Sequence, residues 1–307
     1  MKIKRRKFLI LSTLGGLGFA SLSKIFTDNN SLNTANSAAR LLNSEIEIPS
    51  EEPLLRFVSI GDTGTGAEGQ YAVAKAMNQY YQENPFPLVI MVGDNIYNNG
   101  EIEKINLVFE RPYKFLLEQG VKFQASLGNH DIRTDNGVPQ TLYPNFNMQG
   151  QRYYTFRTDP VQYFALDTNN NADWKTELAW LESELSQSNA PWKIVFGHHQ
   201  LYASGVYGFN ENLVPKLTPL FKKYGVQLYI NGHEHHYERT NPIDGTTYLI
   251  SGAGAGNRPV ESSSWTAYSA SRLSFAAYDV YPDLIVVKGI GTDGNVFDQG
   301  IILRQLV

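Results

Sequence analysis

Three strand-like runs constrain this chain more than anything else in it, because each stops at a glycine followed by an aspartate or an asparagine. They cover 54–60 (LLRFVSI), 88–92 (LVIMV) and 121–127 (VKFQASL), and they end in Gly61-Asp62, Gly93-Asp94 and Gly128-Asn129-His130-Asp131. The first two are apolar runs with β-branched residues, which read as buried strands. Between them Tyr71, Ala74, Met77 and Tyr81 recur at helical spacing over 68–81 until Pro85 and Pro87 stop the pattern. A second helix is expected over 102–119. Strand, helix, strand, helix, strand predicts a mainly parallel sheet, and in such sheets the loops at the carboxyl ends of the strands build the site.

The second half follows a looser plan. Paired strands are expected over 153–158 and 161–167, and an amphipathic helix over 174–188 on Leu178, Leu181 and Leu185. A strand at 192–196 ends in Gly197-His198-His199, a helix covers 213–224, and a strand at 226–230 ends in Asn231-Gly232-His233. From 246 to 307 strand patterns alternate with turn signals such as Asp244-Gly245 and Asp293-Gly294, which fits a second, mixed or antiparallel sheet. The expected fold is α/β: a four-layer α/β/β/α sandwich of two mixed sheets around a βαβαβ core.

The rare polar residues fall at these strand ends. All six histidines (His130, His198, His199, His233, His235 and His236) lie in three short clusters after expected strands, and Asp62 and Asp94 hold the equivalent places on the first two. The chain has no cysteine, so a metal here must be held by oxygen and nitrogen. Carboxylate, imidazole and amide donors, with a phenolate as a further option, suit Fe, Mn, Zn or Co. About eight candidate donors exceed what one ion needs, which implies two ions sharing a carboxylate.

The blocks Gly61-Asp62-Thr63-Gly64, Gly93-Asp94-Asn95-Ile96-Tyr97, Gly128-Asn129-His130-Asp131, Val195-Phe196-Gly197-His198 and Gly232-His233-Glu234-His235 occur in the order found in the metallophosphoesterase (calcineurin-like) superfamily. The chain resembles most its purple, or tartrate-resistant, acid phosphatase branch. Two positions carry that choice. Gly64 stands where most of the superfamily has a histidine, and Tyr97 stands where the purple branch has its tyrosine. The resemblance implies hydrolysis of phosphate monoesters at an Fe(III)–divalent pair. Asp62, Tyr97 and His235 would hold the Fe(III), and Asn129, His198 and His233 would hold Fe(II), Zn or Mn. Asp94 would bridge, and His130 would bind phosphate and act as general acid. The alternative within the superfamily is a phosphodiesterase or nucleotidase with two divalent ions and an idle Tyr97. Larger members carry further substrate-facing histidines where this chain has Tyr207 and Gly208. Asp131 is expected to orient His130 or a ligand. His199 and His236 each follow a proposed ligand and are expected to point elsewhere. Tyr202, Tyr207 and Arg258 are open candidates for the pocket wall, and 252–256 (GAGAG) is expected as a tight loop near the centre.

Residues 1–37 read as an export signal. Arg5-Arg6 with Phe8-Leu9, ahead of an apolar run to about Ala20, resembles a twin-arginine signal. Residues 38–53 read as a polar tether and 54–307 as the catalytic domain. Residues 1–37 hold six basic side chains and one acidic, so the remainder, with 20 basic against 29 acidic, stands at −9. Such a charge argues against nucleic acid as a partner. The expected substrate is a small phosphate ester, and the expected location periplasmic or extracellular, with membrane contact transient or through an uncleaved signal.

Overall fold

A computed structural model describes residues 48–304; the expected export signal and most of the tether lie outside the described residues. The first sheet runs β13-β12-β11-β1-β2-β3. Here β1 (Leu55–Ile60), β2 (Leu88–Val92) and β3 (Lys122–Ser126) are parallel. The strands β11 (Ser274–Val280), β12 (Leu284–Gly291) and β13 (Val296–Leu303) continue the sheet antiparallel beyond β1. The second sheet runs β10-β8-β9-β7-β6-β5-β4. In it β5 (Val161–Ala165), β6 (Trp192–Phe196), β7 (Leu228–Asn231) and β9 (Thr247–Ser251) are parallel. Antiparallel edges are supplied by β4 (Tyr154–Thr158), β8 (Tyr237–Thr240) and β10 (Thr266–Ala270).

The period of two along each strand divides its side chains between separate cores. On β2, Leu88, Ile90 and Val92 face the seam between the sheets, where they meet Tyr163, Trp192, Phe196 and Ile230. Val89 and Met91 face the other way, toward Val73 and Met77 of helix α1 (Glu68–Glu83). On the far side Val195 and Tyr229 pack against Leu181 and Leu185 of α2 (Trp174–Gln187) and against Leu217 and Phe221 of α3 (Val214–Tyr224). Strands buried on both faces need cover on both, and the result is the expected order helix, sheet, sheet, helix.

Two expectations need correction. The strands after 246 do not share one sheet: β9 and β10 join the second, while β11, β12 and β13 complete the first. A strand pattern gives an element and its buried face, not its neighbour. The helix expected over 102–119 is broken into a 3-10 turn (Ile102–Lys104), a π turn (Asn106–Glu110) and a short α-helix (Lys114–Glu118). Pro112 lies between the last two, and a proline there removes a backbone donor and clashes with the preceding turn.

Candidate metal centre

The parallel strands of both sheets deliver their carboxyl ends to one place. Asp62 follows β1, Asp94 and Tyr97 follow β2, and Asn129 and His130 follow β3. His198 follows β6, and His233 and His235 follow β7. The loops are stitched together through the backbone: Asp62 N–H donates to Gly93 O at 3.0 Å, Gly232 N–H to His198 O at 3.0 Å, and Gly254 N–H to Gly61 O at 3.1 Å. The last bond fixes the 252–256 stretch as a loop beside Asp62. Asp62, Asp94 and His233 all have positive φ, a region that non-glycine residues seldom enter and that aspartate and histidine tolerate better than most. Glycine is required where the backbone passes against the carboxylates: a Cβ at Gly128 would run into Asp94, and one at Gly232 into Asp62. A Cβ at Gly64 would strike the Asn95–Ile96 backbone, so the loop that carries Tyr97 leaves no room for an imidazole at 64.

Seven side chains form two groups with Asp94 between them. Tyr97 Oη lies 3.2 Å from Asp62 Oδ1, 2.9 Å from Asp94 Oδ2 and 3.2 Å from His235 Nε2. His198 Nε2 lies 3.2 Å from Asn129 Oδ1, 3.1 Å from His233 Nδ1 and 3.6 Å from Asp94 Oδ1. Hydrogen bonding alone cannot satisfy either group. His198 Nδ1 donates to Val92 O at 2.9 Å, which leaves Nε2 of the neutral ring with a lone pair facing two more acceptors, Asn129 Oδ1 and Asp94 Oδ1. Likewise Tyr97 has one phenolic proton for two carboxylate oxygens, Asp62 Oδ1 and Asp94 Oδ2.

Titration points the same way. Burial, then the neighbouring Asp94 charge, pushes Asp62 up to about 6. Burial, then the Asp62 and Asp94 charges, raises Tyr97 well above the phenol range. Burial, then His198 and His199, pulls His233 down to about 2, and burial lowers His198 too. The cluster therefore resists both the anionic and the protonated forms of its own donors. Cations at the two convergence points would remove both penalties, since they favour carboxylate, phenolate and neutral imidazole. The donor set fits two metal ions.

His130 stands at the rim. Its Nδ1 donates to Asn98 O at 2.7 Å, and its Nε2 lies 3.4 Å from Arg133 Nη2 and 3.9 Å from Asp94 Oδ2. A cavity of ≈ 430 Å³ opens beside Asp62, Tyr97 and His235, walled by Thr65, Leu107 and Val108. A larger one of ≈ 510 Å³ over Glu110, Arg111 and Lys114 contains none of the donors.

Several expectations change. Asp131 does not reach the His130 ring. It is buried and accepts from the backbone N–H groups of Asn95, Ile96 and Gly128 and from the amides of Asn95 and Gln140, so it holds two metal loops together. His199 does not point away: its ring lies 4.6 Å from that of His233, and Thr168 Oγ1 pairs with its Nδ1 at 2.9 Å. His236 does turn away, into a buried pocket between Glu234 and Glu238. Tyr202 packs on Tyr248, whereas Tyr207 stacks on His233. Sequence reasoning missed Arg133, Thr168 and Glu234. Arg133 could have been found, since it lies three residues, about one turn, beyond His130. Nothing in the sequence marks the other two.

Residues 55–237 match the family model described as calcineurin-like phosphoesterase. Purple acid phosphatase 4 of Arabidopsis thaliana is 30% identical over 243 residues, 67% of this chain and 70% of that protein. Two solved structures share the fold. GAP50, described as the anchor in the inner membrane complex of Plasmodium, superposes with a TM-score of 0.72 at 23% identity, over 82% of this chain and 89% of that one. Purple acid phosphatase PPD1 from yellow lupin (Lupinus luteus) superposes with a TM-score of 0.70 at 20% identity, over 84% and 55%.

Proposed function

The chain belongs to the calcineurin-like phosphoesterase family, and from that premise we propose that it is an acid phosphatase of the purple type, hydrolysing phosphate monoesters at an Fe(III)–divalent pair. The observation that carries this reading is Tyr97, whose Oη sits among Asp62, Asp94 and His235 while Gly64 leaves no place for the alternative histidine. A phenolate is a hard anionic donor and suits a trivalent ion. Asp62, Tyr97 and His235 would hold the iron, and Asn129, His198 and His233 the divalent ion. Asp94 presents Oδ2 to the first group and Oδ1 to the second. When bound, such a pair supplies a reactive water and offsets charge on the phosphoryl oxygens.

The chain's own residues do the rest. His130 gives the leaving oxygen a proton from Nε2, while its Nδ1–H stays on Asn98 O. As a general acid it carries a proton on both ring nitrogens before the step. Asp131 keeps the loop of Asp94 and Tyr97 in register with that of Asn129 and His130. On this reading residues 1–37, with Arg5-Arg6 ahead of an apolar run, would act as a twin-arginine export signal and the enzyme would work in the periplasm or outside the cell. A small phosphate ester suits the acidic surface better than nucleic acid does.

The test is the visible absorption of the as-isolated protein, with metal analysis on the same sample. A phenolate-to-Fe(III) band that disappears in Tyr97→Phe is the expected result, together with a fall in turnover of roughly 10²–10⁴-fold in His130→Ala at unchanged metal content. A colourless enzyme holding two divalent ions would overturn the purple assignment and favour a phosphodiesterase or nucleotidase with an idle Tyr97.

A further inference from the structure

The site has a second wall, made by the segment after β6. Val206, Tyr207 and Phe209 on this segment are 66%, 50% and 44% exposed, an unusual density of apolar side chains beside a polar centre. The Tyr207 ring lies on His233 with centroids 4.3 Å apart and planes 25° apart. The Arg258 guanidinium lies 5.7 Å from the same ring, and the Arg258 backbone N–H is bonded to His235 O at 2.7 Å.

This segment is held from inside. Glu234 is fully buried between the two histidines of its own loop, and its carboxylate accepts from three successive backbone N–H groups. Val206 donates at 3.1 Å, Tyr207 at 2.5 Å and Gly208 at 3.3 Å. Glu238 likewise takes both the N–H and the hydroxyl of Ser204 at 2.7 Å. Gly205 passes so close that a Cβ there would meet His236 and Glu234. Surface loops seldom donate five hydrogen bonds to two buried carboxylates, and charge-assisted bonds of this kind fix a backbone firmly. Glu234 belongs to the turn that carries His233 and His235, but its carboxylate hydrogen bonds go to the apolar wall.

We propose that Tyr207, positioned by the buried Glu234 carboxylate, selects the organic group of the ester and favours a planar aromatic one; this rests on the phosphoesterase reading above. A half-exposed ring pre-stacked on His233 offers π surface with its orientation already fixed, so little freedom is lost when a second ring meets it. Arg258 adds a cation that also favours an aromatic group. Glu234 touches no substrate and is a positioning residue.

The test is calorimetric titration of the metal-loaded protein with phenylphosphonate and ethylphosphonate, which cannot turn over. Wild type should bind the phenyl compound about 3- to 10-fold more tightly, the range of one aromatic contact. Tyr207→Ala should bring the ratio close to one, and Tyr207→Phe should keep it. Glu234→Gln, which turns an amide N–H toward a backbone donor, should lower the ratio with bound metal unchanged, a combination that general destabilisation would not give. Equal affinities in wild type, or a preference that survives Tyr207→Ala and vanishes in Leu107→Ala, would overturn the proposal and move the organic group to the cavity beside Tyr97. A preference that behaves as expected in a protein unable to hydrolyse phenyl phosphate would support the subsite and count against the phosphatase reading alone.

Discussion

Replacing Glu177 by glutamine should stabilise this protein, and by an amount that depends on pH. Glu177 lies in the first turn of α2 and is 1% exposed. Its Oε1 accepts from Asp167 N–H at 2.8 Å, and its Oε2 has no partner among the described residues. Burial, then the Asp167 charge, pushes its carboxyl up to about 9 from an ordinary 4.5. The folded state thus holds a proton that the unfolded chain releases above pH 4.5. Stability from this group is complete below that pH and is lost as pH rises toward about 9. Each pH unit in the window costs about 1.4 kcal/mol, so at pH 7 the glutamate costs folding about 3 kcal/mol. Glutamine copies the protonated shape without the proton. In a domain of this size the gain is a rise in Tm of about 6–12 °C at pH 7, against about none at pH 4. The assay is paired thermal melts of wild type and variant from pH 4 to 8, under chelator, so that metal linkage to pH drops out. A variant less stable than wild type at pH 7, or an advantage equal at pH 4 and pH 7, would refute the reasoning.

Asp131→Asn keeps one acceptor oxygen but turns an amide N–H toward at least one backbone donor. It should cost about 2 kcal/mol, read as a Tm lower by about 4–8 °C; a variant melting with wild type would mean that the loops are held by other contacts. Stripping the metals should lower the apparent stability by about 4 kcal/mol when the free ions stood a thousandfold above their Kd. An unchanged melt after complete removal, checked by metal analysis, would show that the two donor groups do not hold ions.

The parts of the fold legible in the sequence are those that repeat. The strand ends at Gly61-Asp62, Gly93-Asp94 and Gly128-Asn129 could be read because a buried parallel strand must be apolar and its loop must turn at once. The gathering of the candidate donors followed, since they sit at those ends. Pairing was less legible: β11 joins β1 across more than two hundred residues, and its alternation would suit either sheet equally. The break at Pro112 was in plain view, but the apolar spacing around it suggested one helix. Glu234 was hidden differently. Between two histidines it reads as a spacer, and the three N–H groups that need it belong to a loop with no period. Tyr207 could be suspected only from what it replaces, because stacking on His233 is a property of the closed loop and not of any local pattern.

Each donor group draws on both sheets. Asp62, Tyr97 and Asn129 come from the first, and His198, His233 and His235 from the second. No partly made chain can therefore present a finished centre. The last donors lie on the turn after β7, and β11, which lies beside the strand of Asp62, comes later still in the chain. A donor group built from both sheets would take up an ion only once the sheets have closed on each other. Any ion taken up beside His198 and His233 would come from the metal supply of the compartment in which the two sheets close on each other.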